Sequence, residues 1–126
     1  MIPTQYEPLL SKLEIATSTI SGLWDKTSDK QKFSVSINGI TVIIHKYVIY
    51  PENAECVSFE IMDPLGDVID GIYYDESEAE YNRVNLLYES ARRNALKISE
   101  TLSDVVSGLD ELLSKNATDD DPDLPF

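Results

Sequence analysis

Residues 33–44 run Phe-Ser-Val-Ser-Ile-Asn-Gly-Ile-Thr-Val-Ile-Ile, so that two alternating apolar runs flank Asn38-Gly39. An Asn-Gly pair in this setting favours a type I′ hairpin, because both turn residues must adopt positive φ. The predicted register pairs Ile37 with Ile40, Val35 with Val42 and Phe33 with Ile44. Since side chains alternate along a strand, these apolar residues are all expected on one face of the sheet.

Further strands follow the hairpin. The second strand is predicted to continue to about Tyr50, and residues 51–53 form a loop. Residues 57–61 alternate as a third strand, residues 63–67 form a turn, and residues 68–74 form a fourth strand. Short connections between neighbours predict a four-stranded antiparallel meander.

Helices are predicted on both sides of the sheet in the sequence. Apolar residues at helical spacing predict an N-terminal helix from about Pro8 to about Leu23, followed by a polar linker over residues 25–31. Asp75 is predicted to cap a long C-terminal helix from about Glu76 to about Ser114, with Glu78 completing a capping box.

The C-terminal helix carries an apolar seam at heptad spacing, from Tyr81 to Leu112. It would be roughly 58 Å long, whereas the strands span only about 23 Å. The surplus seam therefore needs a partner. We expect it to pack on the N-terminal helix and across a homodimer, and the alternative is an intramolecular helical hairpin without a dimer.

Composition places these elements in a small α+β protein. The chain has 126 residues, a net charge of −13 and a single cysteine, so it can form no internal disulfide. Residues 1–115 are predicted to form one domain, and residues 116–126 a disordered acidic tail. The N-terminus lacks signal-peptide character and no apolar run approaches membrane length, which predicts a cytoplasmic protein with no membrane partner.

Catalytic chemistry is not indicated. His45 is the single histidine, and neither a serine nor Cys56 has a spacing that would place it beside His45 as a nucleophile. The glycines are scattered, so there is no phosphate loop, and no metal-ligand spacing is present. We therefore expect a protein that is not an enzyme, with no cofactor and no metal.

The C-terminus resembles the tip of bacterial single-stranded-DNA-binding proteins, in which an aspartate run ends in a short apolar segment closing with Pro-Phe. The match covers eight residues and departs from the commonest form at Pro122 and Leu124. The ring and carboxylate of Phe126 suit an apolar pocket with a basic rim. The resemblance implies recruitment of replication or repair proteins through Asp119, Asp120, Asp121, Asp123, Leu124, Pro125 and Phe126.

The predicted order of four strands and a helix looks like that of Whirly, Pur-type and related binders of single-stranded nucleic acid. This likeness is one of topology alone. Strand tyrosines can stack bases, and lysine and arginine can contact phosphates. The predicted nucleic-acid-binding residues are Lys26, Lys30, Lys32, Lys46, Tyr47, Tyr50, Tyr73, Tyr74, Arg92, Arg93 and Lys97.

These observations give a non-enzymatic single-stranded-DNA-binding or replication accessory protein as the first hypothesis. An acidic protein–protein adaptor or DNA mimic is the second, and a dimeric secretion-type chaperone is the third. Neither of the latter two would bind nucleic acid. The strongly acidic composition keeps them open, because an acidic surface is repelled by phosphate unless its bases cluster.

Overall fold

The computed structural model describes the backbone of residues 2–119 and the side chains of residues 2–116. After a 3-10 turn at Thr4–Tyr6, the elements are α1 (Glu7–Thr19), β1 (Asp25–Lys26), β2 (Lys32–Ile37), β3 (Ile40–Ile49), β4 (Ala54–Met62), β5 (Val68–Asp75), α2 (Tyr81–Ala95) and α3 (Ile98–Asp119). The predicted α+β class with an N-terminal helix and an antiparallel sheet is confirmed.

The β2–β3 hairpin forms as its sequence predicts. Asn38 and Gly39 both have positive φ, at 54° and 80°. The register pairs Ile37 with Ile40, and each further predicted pair is present out to Phe33 with Ile44. Turn chemistry and strand alternation therefore specify the same pairing.

The sheet has five strands in the order β1-β2-β3-β4-β5, with antiparallel neighbours. The prediction of four strands was wrong by one. The additional strand, β1, lies within the predicted polar linker and pairs Lys26 with Phe33. Its two residues are too few to show the alternation by which a strand is recognised.

The two helices α1 and α2 pack against one face of this sheet. Alternate strand residues, among them Val35, Ile44 and Phe59, meet α2 side chains such as Val84 and Tyr88 in a common core. Each of these five is at most 2% exposed. The opposite face of the sheet carries the intervening residues and is free of these helices.

Helix α1 ends at Thr19, four residues before the predicted end at Leu23. The side chains of Ser18 and Thr19 both donate hydrogen bonds to the carbonyl oxygen of Ile15. Such local bonds compete with the helical backbone ladder. Ile20 is extended, at φ −106° and ψ 109°, and the chain then turns Trp24 into the core.

The predicted long C-terminal helix is two helices, so this prediction was also wrong. The Asp75 side chain accepts a hydrogen bond from the Ser77 backbone amide, and the Glu78 side chain accepts one from the Asp75 backbone amide. These bonds close a turn, and α2 begins only at Tyr81. The predicted helix is also interrupted at Lys97, whose φ of 52° lies between the end of α2 and the start of α3.

The chain divides into two compact units at this break, Met1–Leu96 and Lys97–Phe126. Within the second unit, α3 runs to Asp119 and so extends into the segment predicted to be disordered. Apolar side chains line one side of α3, and those more than half exposed are Leu102, Val105, Val106, Leu109, Leu112 and Leu113. The predicted tail residues 120–126 lie outside the described part of the chain.

Candidate nucleic-acid interface

The face of the sheet opposite α1 and α2, called here the open face, presents polar and aromatic side chains. Backbone pairing places Lys32, His45, Ser58 and Tyr73 side by side in one row across β2, β3, β4 and β5. Tyr47 lies two residues beyond His45 on the same face of β3. Aromatic side chains therefore stand on both sides of β4.

A depression of about 400 Å³ lies on the open face over β4. Its lining includes His45, Tyr47, Ser58, Glu60, Gly71 and Tyr73. The rings of His45 and Tyr47 have centroids 5.0 Å apart, and the Tyr73 side chain is 64% exposed. The depression therefore combines aromatic rings with a shallow, accessible floor.

Gly71 lies at the floor of this depression and adds no side chain to it. A Cβ atom added at Gly71 would lie 2.9 Å from the carbonyl oxygen of Phe59, closer than a side chain tolerates. Glycine is thus required by the close approach of β4, and no larger residue fits without moving the backbone.

The surroundings of His45 favour its neutral form. Partial burial, and then the positive charge of Lys32, lower the pKa of His45. The nearby Asp29 carboxylate, 3.6 Å from Nε2, opposes this shift but does not overcome it. A neutral imidazole offers one donor and one acceptor to a ligand and has little attraction for phosphate.

Two hydrogen bonds hold the segment that contains β1 against α2. Here Asn94 of α2 accepts a hydrogen bond from the backbone amide of Trp24 at 2.9 Å, and Tyr88 donates one to Gln31 at 2.6 Å. These bonds hold residues 24–31 along the C-terminal half of α2. Lys26, Lys30 and Lys32 lie on or directly beside this segment, and Arg92 and Arg93 lie on that half of α2; these five predicted site residues are called here the basic cluster.

The basic cluster, like Lys12, lacks the ion pairs that Lys46 and Arg83 make within residues 2–96. Within that range, none of its five side chains has a carboxylate within 4.0 Å. By contrast, Arg83 bonds both Glu7 and Glu14 at 2.8 Å. The cluster therefore retains its charge for an external anion.

The remaining predicted site residues lie elsewhere. Lys46 is on the helix side of β3, 3.7 Å from Glu55 and 3.6 Å from Glu89, and its ammonium lies 5.6 Å from the Tyr88 ring centroid. Tyr74 also faces the helices and is only 6% exposed, so it has no free ring face. Both positions follow from strand alternation.

Tyr50 and Lys97 are both exposed. Tyr50 follows β3 in the turn before β4, is 75% exposed and lines a second depression of about 400 Å³ that also includes Tyr47. Lys97 begins the second unit. Asp119 ends α3, and the predicted partner-binding residues from Asp120 to Phe126 lie outside the described residues.

Two further residues of the open face, Glu60 and Ser58, were not predicted as site residues. The alternation of β4 was visible in the sequence and would have placed both on the same face as Tyr47 and His45. Their significance depends on which face the helices cover, and the sequence gives no direct signal for that.

Chemistry of other kinds finds little support in the described residues. Cys56 is buried, and desolvation followed by the charge of Asp75 raises the pKa of its thiol, which disfavours a nucleophilic thiolate. No cluster of metal-ligating side chains occurs among residues 2–116. None of the described helices has the length and apolar content needed to span a bilayer.

No known family model matches this chain, and no characterised protein or solved structure is significantly similar to it.

Proposed function

We propose that this protein is a non-enzymatic, single-stranded-DNA-binding accessory protein of replication or recombination. The observation that carries the proposal is the basic cluster, five basic side chains on residues 24–32 and on α2 that have no carboxylate within 4.0 Å among residues 2–96, in a chain of net charge −13. A concentrated positive edge attracts phosphates even when the rest of the surface repels them.

The open face explains why the nucleic acid would be single-stranded. Exposed aromatic side chains stack on bases, and bases are accessible in this way only when they are unpaired. Lys32 belongs to the basic cluster and shares its cross-strand row with His45 and Tyr73. A strand whose phosphates follow the cluster would thus turn its bases toward the aromatic side chains.

Fluorescence anisotropy with a short labelled single strand of mixed sequence tests this function. Binding at low salt that weakens steeply as salt is added supports it, since each phosphate contact to a single strand contributes a slope of about 0.7. Absence of binding at low salt contradicts it, and then the acidic adaptor or DNA mimic becomes the better explanation.

A second part of the proposal concerns the tail. Following the resemblance of its tip, we assign Asp119–Phe126 the recruitment of replication or repair proteins. The test is the affinity of the full-length chain for a purified enzyme known to bind such tips. Deletion of Phe126 should abolish that affinity, whereas replacement of Pro122 by alanine should leave it nearly unchanged.

Association with a second copy is the third part. Helix α3 exposes an apolar side from Leu102 to Leu113, and in proteins most of a helix's stability comes from packing of such a side. Packing of α3 on α3 of another copy would bury that side. Sizing by light scattering decides between a dimer and a monomer.

A further inference from the structure

One carboxylate stands among the aromatic side chains of the open face. Glu60 occupies the middle of β4, paired with Ile43 on β3 and with Gly71 on β5. Its side chain lines the 400 Å³ depression, and the described residues provide it with neither a hydrogen bond nor an ion pair. An uncompensated carboxylate at the centre of such a surface is available to a ligand.

The space around Glu60 suits one planar ring. His45 and Tyr73 stand in one row on β3 and β5, two strand spacings or about 9.5 Å apart. Between them β4 presents Ser58, and the adjacent row holds Glu60 beside Gly71, which adds no side chain. A flat heterocycle can therefore lie over Gly71, stack on Tyr73 and bring its edge to the Glu60 carboxylate.

The carboxylate restricts which base edge is accepted. An ionised carboxylate offers acceptors only, on two oxygens side by side. Guanine presents two adjacent donors, N1–H and the N2 amino group, and makes a bidentate pair with it. Thymine presents a single N–H between two carbonyl oxygens, which the carboxylate repels. Adenine and cytosine, with one amino group beside an acceptor nitrogen, fall between these cases.

We propose that the depression seats one guanine of a bound single strand in preference to thymine, with Glu60 accepting both donors and Tyr73 stacking on the base. This proposal rests on the proposed function, single-strand binding. It adds to it a base preference located at one side chain.

The experiment compares labelled oligo-dT with the same strand carrying two separated guanines, which avoids the self-association of guanine runs. The full-length chain should bind the guanine-containing strand roughly tenfold more tightly, the magnitude of one bidentate base contact. Glu60→Gln should bring the ratio of the two affinities close to one, because an amide has one acceptor and a donor that suits thymine. Glu111→Gln on α3 removes the same charge elsewhere and should leave the ratio unchanged.

The ratio of the two affinities tests the base preference separately from the proposed single-strand binding. Equal affinity of the native chain for both strands, or a ratio unaltered by Glu60→Gln, overturns the base preference while salt-dependent binding stands. No binding of either strand at low salt overturns both. Glu60→Ala is the second variant should Glu60→Gln fold poorly, and it should also bring the ratio close to one.

Discussion

Asn94 on α2 fixes the position of Trp24 through its side-chain amide. Its oxygen accepts from the Trp24 backbone amide at 2.9 Å, while its nitrogen donates to the carbonyl oxygens of Thr17 and Ile20 at 3.0 and 2.7 Å. One side chain thus satisfies three backbone groups where α1 ends and the chain enters the sheet. The same contact holds the segment that carries Lys26 against the helix that carries Arg92.

Replacing Asn94 by alanine should destabilise the fold and disperse the basic cluster. Three hydrogen bonds are lost and their backbone partners are left partly buried, so the free energy of unfolding should fall by about 2–3 kcal/mol. Urea unfolding measures this change. Asn82→Ala, at an exposed position of the same helix, is the matched control and should alter stability by less than about 0.5 kcal/mol. Equal effects of the two substitutions would contradict the role of Asn94.

Local signals explain which parts of the fold were predictable. The β2–β3 register was predictable, because the Asn-Gly turn residues, which adopt positive φ, and the alternating strand residues specify the same pairing. The helix break at Lys97 was not predictable, because the apolar heptad seam continues on both sides of it and a lysine does not indicate positive φ. Strand β1 was not predictable either, because its two residues are too few to show strand alternation.

The candidate site divides in a similar way. Tyr47 and Tyr73 were predictable as strand residues, and alternation also separates Tyr73 from the buried Tyr74. The basic cluster was visible only as scattered lysines and arginines. Its grouping depends on hydrogen bonds between residues far apart in sequence, such as Tyr88 with Gln31. Tertiary contacts of this kind leave no trace in local composition.

Neutralising two arginines of the basic cluster should weaken single-strand binding. Arg92→Gln combined with Arg93→Gln removes two phosphate contacts, so the salt slope should fall by about 1.4 and the affinity at low salt by more than tenfold. Anisotropy titrations over a range of salt measure both. Lys12→Gln combined with Lys115→Gln removes the same charge outside the cluster. If both double variants behave alike, net charge alone governs binding and the cluster has no special role.

Tyr73 should contribute to binding through its ring face. Tyr73→Ala should weaken single-strand affinity roughly tenfold, because stacking of one base is lost. Stability should change little, since the side chain is 64% exposed. Tyr73→Phe keeps the ring and should retain native affinity. A comparable loss in both variants would point to the hydroxyl group and not to stacking.

The hydrogen bond from Tyr6 to Asp70, 2.7 Å long, should make stability depend on alkaline pH. Burial, together with the bond and charge of Asp70, raises the pKa of Tyr6 to about 12. Above about pH 10 the unfolded chain loses this proton while the folded chain keeps it, so stability falls as pH rises through this window.

The variant Tyr6→Phe cannot titrate at this position and isolates the effect. The difference in unfolding free energy between the native chain and the variant should shrink by roughly 1 kcal/mol between about pH 9 and pH 11. Tyr81, whose pKa is also raised to about 12 by burial and by Glu55, is common to both chains and cancels. A difference that stays constant over this range would show that the hydrogen bond does not hold the proton.

A charge placed on the apolar side of α3 should prevent self-association. Val105 is 53% exposed in the single chain and lies on the side proposed to pack against a second copy. Val105→Asp would bury a carboxylate in that contact at a cost of several kcal/mol, so a dimer should become a monomer. Ser107→Asp adds the same charge on the polar side of the helix and should leave the mass unchanged. Light scattering on all three chains measures the outcome, and a native chain that is already monomeric at high concentration rules out the α3 contact.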